Sequence, residues 1–233
     1  MTRPPLMAAA LCAALALLLT IERKADAQFN LQITEIWPGN DPGNNLTEDW
    51  FEVTNIGSSA WTAATHGDLY WEDVSANPAL AVILSGVASI GPNQSAVFVN
   101  GGAAGATAWS NLWDDVVTLP LVGFSSGPGL GQGGDTVNLY LDDVLPVGIP
   151  TLSLLDSAGY PDAGTTGGRS FDVGLNAFST VGNASGAVAT IVVNDMQQPA
   201  IGSPGRPLVP EPTSIVLLLA GIVGVACGRR NRR

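Results

Sequence analysis

Three kinds of side chain are nearly missing from this sequence. It has one lysine (Lys24), one histidine (His66) and two cysteines (Cys12 and Cys227). Neither cysteine falls among the 183 residues from Gln28 to Pro210, so that stretch can form no disulfide, thiolate nucleophile or cysteine metal site. One histidine cannot build a multi-histidine zinc site, and no serine sits in a G-x-S-x-G elbow, so His66 is not expected to be catalytic. From Gln28 to Pro210 the only basic residues besides His66 are Arg169 and Arg206, against 17 carboxylates, a net charge of −15. That excludes nucleic acid as a partner, because binding to phosphates rests on lysine and arginine contacts. Basic proteins, neutral sugars and divalent cations remain compatible. The plainest use of such a surface is to keep an exported protein soluble.

The charges that are missing from the middle are concentrated at the ends. Arg3 precedes an almost wholly apolar run, Leu6 to Ile21, and Ala25-Asp26-Ala27 offers an A-x-A cleavage site before Gln28. Residues 1–27 therefore read as a secretory signal peptide. The intervening cluster Glu22, Arg23 and Lys24 leaves an uncut signal anchor as the alternative. At the other end, Pro210-Glu211-Pro212 leads into an apolar run from Ile215 to Cys227, which stops at Arg229, Arg230, Arg232 and Arg233. The apolar core has 13 residues, and about 16 counting the flanking Thr213, Ser214 and Gly228, short of the ~20 that a full span needs. The arginines would stay in the cytoplasm and hold the body of the protein outside.

This tail, residues 207–233, resembles a PEP-CTERM sorting signal with a short transmembrane segment at about 213–228. The resemblance implies an exported protein of a Gram-negative bacterium, processed near Pro-Glu-Pro by a membrane protease-transpeptidase, exosortase. It also implies the cell surface or a biofilm matrix as destination, with exopolysaccharide or other surface proteins as partners.

Between the ends, short runs of period-two alternation are separated by turn signals such as Asn77-Pro78, Gly91-Pro92 and Gly133-Gly134. Strands are expected at Leu31–Trp37, Trp50–Ile56, Asp68–Val74, Ala81–Leu84, Ser95–Asn100, Leu119–Phe124, Thr136–Leu141 and Ile191–Val193. In the second of these, Phe51, Val53 and Asn55 share one face and Trp50, Glu52, Thr54 and Ile56 the other. One helical turn is expected around Trp109 to Asp115, and Gly127–Gly134 reads as a flexible connection. Many short strands without a long helical period predict an all-β antiparallel β-sandwich spanning residues 28–206. It would be flanked by an N-terminal signal helix and a C-terminal hydrophobic helix.

The string ITEIWPG…EDWFEVTNIG resembles the opening of a lamin-tail domain, an immunoglobulin-like sandwich. Ile90-Gly91-Pro92, Gly134-Asp135-Thr136-Val137-Asn138-Leu139, Gly159-Tyr160-Pro161-Asp162-Ala163-Gly164, Gly168-Arg169-Ser170 and Gly202-Ser203-Pro204-Gly205 follow that family's order. The usual tryptophan after the Gly-Arg-Ser segment is absent; Leu175, Ala177 and Phe178 stand there. The chromatin association of animal lamin tails does not carry over to so acidic a chain.

Candidate sites are few. Asp41, Glu48, Asp49 and Glu52 form the densest acidic group and, with Asn44 and Asn45, could supply some of the six to eight oxygens that calcium takes, although no D-x-[DN]-x-[DN]-G loop is present. Calcium is the one cofactor these residues suggest. Of six tryptophans, Trp61, Trp71 and Trp113 lie nearest predicted loops and are the candidates for stacking on sugar rings; the competing use is as core plugs between sheets. Arg169 is expected to pair with a carboxylate and pin the closing loop. No catalytic constellation emerges, so the expected role is non-enzymatic, structural or adhesive. A carbohydrate- or calcium-binding module is the alternative, and a secreted hydrolase with paired carboxylates a further one.

Overall fold

The computed structural model describes residues 28–39, 48–73, 75–142, 151–163, 168–191 and 199–207. The signal segment with Ala25 and Ala27, the sorting residues Pro210, Glu211, Pro212, Arg229, Arg230, Arg232 and Arg233, and Asp41 lie outside them, as do both expected terminal helices. Among the described residues no helix is long and apolar enough to cross a membrane.

The described chain is all-β, with strands in several sheets and few helices. A six-stranded sheet has the order β12-β11-β1-β2-β7-β8, from Ala177–Phe178 (β12), Phe171–Asp172 (β11), Leu31–Trp37 (β1), Trp50–Asn55 (β2), Ser95–Asn100 (β7) and Leu121–Ser125 (β8). A four-stranded sheet has the order β10-β9-β4-β5, from Leu152–Tyr160 (β10), Asp135–Asp142 (β9), Leu69–Glu72 (β4) and Val82–Ile83 (β5). Two short pairs complete it: Trp61–Thr62 (β3) with Ser89–Ile90 (β6), and Val188–Ala189 (β13) with Ile201–Gly202 (β14).

Both main sheets feed one core. Leu31, Ile33, Ile36, Phe51, Val53, Phe98 and Phe171 of the larger sheet pack with Leu69, Trp71, Val137, Leu139 and Tyr160 of the smaller. The expected strands at Leu31–Trp37 and Ser95–Asn100 match β1 and β7. Ile191 is not in a strand, and the rest of the expected Ile191–Val193 segment lies outside the described residues.

The larger sheet departs from a regular antiparallel sandwich in three ways. First, the pairing is not wholly antiparallel: β7 and β8 run parallel, which demands a crossover, and a 12-residue helix, Gly102–Trp113 (α2), supplies it. Here α1 is the short turn Ala63–His66. The helix is far longer than the expected single turn, and it lays Ala106, Trp109 and Trp113 on one buried stripe against the larger sheet. Second, β2 is buried along its whole length rather than on one face, because α2 and the closing segment cover its outer side. Third, β1 does not alternate regularly. A bulge between Ile33 and Glu35 lets Ile36 join Leu31 and Ile33 in the inter-sheet core, and turns Glu35 and Trp37 to the outer face.

A buried carboxylate row as candidate functional site

The bulge in β1 sets Glu35 directly opposite Glu52 on β2 and opposite Asp172 on β11. Three acids thus stand side by side across three neighbouring strands, at 2 %, 0 % and 3 % exposure. Among the described residues no arginine or histidine neutralises them. Hydroxyls and backbone amides do the work instead. Glu35 Oε1 accepts from the amide of Ser203 at 2.7 Å and from the hydroxyls of Ser203 and Ser170. Glu52 accepts from Thr34 Oγ1 at 2.7 Å and from the amide of Gly205. Asp172 accepts from the amide of Leu175 at 2.9 Å and from the Ser185 hydroxyl. Thr54 links the row to Thr34 and to Ser95, at 3.0 and 2.8 Å.

Burial without a cation dominates the proton affinity of this row. Desolvation first, and the neighbouring Glu52 charge second, drive Glu35 well above the usual carboxylate range. Desolvation likewise raises Glu52, opposed by its bonds from Gly205 and Thr34. The two share one low-dielectric pocket, where two negative charges side by side are unfavourable, so a neutral carboxyl is favoured.

Beside the row lies a tryptophan cluster on the same outer face. Trp37 stacks on Trp50 at 5.9 Å with an 11° interplanar angle, and Trp109 and Trp113 meet Trp50 edge-on at 5.7 and 6.2 Å. The indole N–H groups of all four, and Glu35 Oε2, lack a hydrogen-bond partner. Glu35 Oε2 thus receives no hydrogen bond that would stabilise its charge, which adds to the burial that raises Glu35. Gly202 packs tightly against the row: a Cβ there would stand 3.0 Å from both Glu35 Oε1 and Ser170 Oγ, and 3.2 Å from Trp113, so these neighbours would have to shift to admit one. Gly205 turns at φ +77°, aiming its amide at Glu52.

The other candidate residues are spread through the structure. Trp61, Trp71 and Trp113, expected as sugar-stacking faces, are buried at 2 %, 0 % and 0 % exposure and offer no ring to a ligand. Trp61 and Trp71 also turn their polar ends inward: Trp61 donates to Gly67 O at 3.2 Å and Trp71 to Ser125 Oγ at 2.9 Å. Of the acidic group near the first loop, Glu48 is exposed and Asp49 is committed elsewhere, accepting from the Leu130 amide at 2.6 Å. Burial pushes Asp49 up to about 6, partly offset by that bond. Glu52 faces the carboxylate row instead. Among the described residues no group of three or more acidic, histidine or cysteine side chains could hold a metal ion.

His66 ends α1 on the surface side, with Nδ1 accepting from the Thr62 amide at 3.1 Å and the ring edge-on to Phe29. Arg169 pins the closing segment with its backbone, bridging Ile201, and not through a carboxylate, for no ion pair forms at its guanidinium among the described residues. The Gly127–Gly134 connection is tied down by Asp49 on Leu130, by Asn100 on Pro128 O at 2.6 Å and by Tyr160 on Gly131 O at 2.7 Å.

Comparison of the chain with protein-family models, curated proteins and solved structures finds no match in any of the three. What the row can do is therefore read from its geometry. Its three acids are buried in this arrangement. Glu35 and Glu52 brace the closing segment, residues 199–207, against β1 and β2, while Asp172 holds Leu175 and Ser185.

Proposed function

We propose that this chain is an exported, non-enzymatic structural or adhesive protein of the cell surface or biofilm matrix, sorted by an exosortase-type signal. The single observation that carries this reading is the order at residues 210–233: Pro-Glu-Pro, a short apolar run, then four arginines. The body, in this reading, is an immunoglobulin-like β-sandwich of the lamin-tail type. The shared core of the two sheets supports it. The parallel β7–β8 pair stands outside a purely antiparallel sandwich.

The use of the acids favours a structural role over a hydrolytic one. The paired carboxylates that a glycosidase would need are present as Glu35 and Glu52, but they are buried and spent on Ser203 and Gly205. The sugar-binding alternative loses its three tryptophans to the core.

The test is expression of the full chain, exported, in hosts with and without the exosortase, reading mass and location. Loss of the tail beyond about Pro210 only when the protease is present supports the sorting role. A full-length product held in the inner membrane in both hosts removes it.

A further inference from the structure

Gln28 is the residue that signal-peptide cleavage after Ala27 would make the new N-terminus. The backbone just after its Cα is anchored. Gln28 O accepts from the Ser58 amide at 3.2 Å, Asn30 donates to Asn55 Oδ1 at 3.0 Å, and Asn30 O accepts from Ile56 at 2.8 Å. Gly57 comes so close beneath this stretch that a Cβ on it would run into the backbone of Phe29 and Asn30. These bonds hold the carbonyl side of Gln28 and leave its nitrogen side and side chain outside the sheet, where the residue is exposed.

A second observation gives this terminus weight. From Gln28 to Pro212 the sequence has no lysine, so the α-amine of Gln28 would be the only aliphatic amine of the mature chain. Arg169 and Arg206 do not substitute for it, since a guanidinium stays protonated and is no nucleophile near neutral pH.

We propose that Gln28 is a modification site, closing on itself to pyroglutamate after cleavage and leaving a mature protein with no aliphatic amine. The α-nitrogen attacks the side-chain amide carbon, a five-membered lactam forms, and the side-chain nitrogen leaves as ammonia. No oxidant, reductant or co-substrate is consumed. The anchored carbonyl takes no part, so the ring forms without disturbing the bond to Ser58. The proposal rests on the signal-peptide reading. Its consequence for sorting is that a mature copy cannot supply the amine that accepts another copy's acyl group in transpeptidation. Any covalent attachment then joins its C-terminal end to an amine from a different molecule, and chains of this protein do not link to each other.

The experiment is intact-mass and N-terminal peptide analysis of the exported full-length protein, together with labelling by an amine-reactive ester. Gln28→Ala serves as the control that keeps its amine. The expected result is a chain starting at residue 28, lighter by one ammonia and unlabelled, beside a labelled Gln28→Ala protein. A chain that starts at Gln28 and takes the label overturns the modification while leaving cleavage intact. A chain that starts elsewhere, or keeps residues 1–27, overturns cleavage and modification together.

Discussion

At the residue scale, Glu35 concentrates the conflict in this fold. An acid whose folded pKa is raised above its unfolded value stabilises the fold fully below the unfolded pKa and loses that contribution as pH rises through the folded one. Glu35 and Glu52 are both raised above the ordinary carboxylate value, by burial first, so the loss runs from the usual carboxylate range upward through neutral pH. Thermal melts across that range are expected to fall, by on the order of 5 °C or more. Glu35→Gln is expected to flatten the fall, with Glu52 supplying what remains; an unchanged slope would mean that the row stays ionised. Trp50 makes the complementary point. It touches Trp37, Trp109 and Trp113, so Trp50→Ala should cost about 3–5 kcal/mol in denaturant unfolding, and Trp50→Phe clearly less.

Much of what surrounds these residues is legible in the sequence, and the exceptions have specific causes. The alternation in β2 puts Glu52 on the face of Trp50, and the structure keeps it there. Glu35 escapes because regular alternation places it with Leu31 and Ile33, and only the bulge turns it outward beside Trp37. One signal is available: a face carrying both Trp37 and Trp50 is too apolar to be left to solvent, so acids sharing it have to be buried. The row's third member, Asp172, lies on a two-residue strand that leaves no periodicity to read.

At the scale of elements, α2 and β10 show where local pattern runs out. The helix carries Gly102 and Gly105 among alanines and has no side-chain cap, so little in its composition announces 12 helical residues. Tertiary contact supplies the stability, through Trp109 and Trp113. β10, the longest strand, is hidden from a periodicity reading because a bulge between Leu154 and Asp156 breaks its alternation and leaves Leu154 exposed. That bulge has a use, since Asp156 accepts from the Ile33 amide at 2.8 Å and fastens the smaller sheet to the larger. The loop after β8 gives a cleaner test. Asp49→Ala removes the acceptor of the Leu130 amide, so hydrogen exchange at Leu130 should accelerate while the β9 amides stay protected, for about 1–2 kcal/mol of stability. In the closing segment, Gly205→Ala forces a Cβ into φ +77° and is expected to cost about 1–2 kcal/mol, read from the same unfolding curves.

At the scale of the whole molecule, the closing segment is worth more than its length suggests. A protein ending at residue 198 lacks Ser203 and Gly205, leaving Glu35 and Glu52 buried without their amide donors. It is expected not to fold, whereas one spanning residues 28–207 should unfold in a single transition; circular dichroism of the pair decides it. The charge of −15 acts over the same range. Self-repulsion is screened by salt, so the melting temperature should rise modestly as sodium chloride is added, and a flat response would place the carboxylates too far apart to matter.

The bonds from Ser203 to Glu35 and from Gly205 to Glu52 join residues 168 and 153 positions apart. A chain that crosses a membrane N-terminus first delivers β1 and β2 early and their amide partners almost last. Until Ser203 and Gly205 emerge, the two acids have hydroxyl donors, Ser170 and Thr34, but lack their backbone amide donors, and the sheet that carries them is left incompletely closed. If the chain is exported as proposed, its folding would be timed by translocation. The clasp can form only when a mere handful of residues, beginning with Arg206 and Pro207, still separates it from Pro-Glu-Pro. The body would thus shut at about the moment its tail comes within reach of a membrane enzyme.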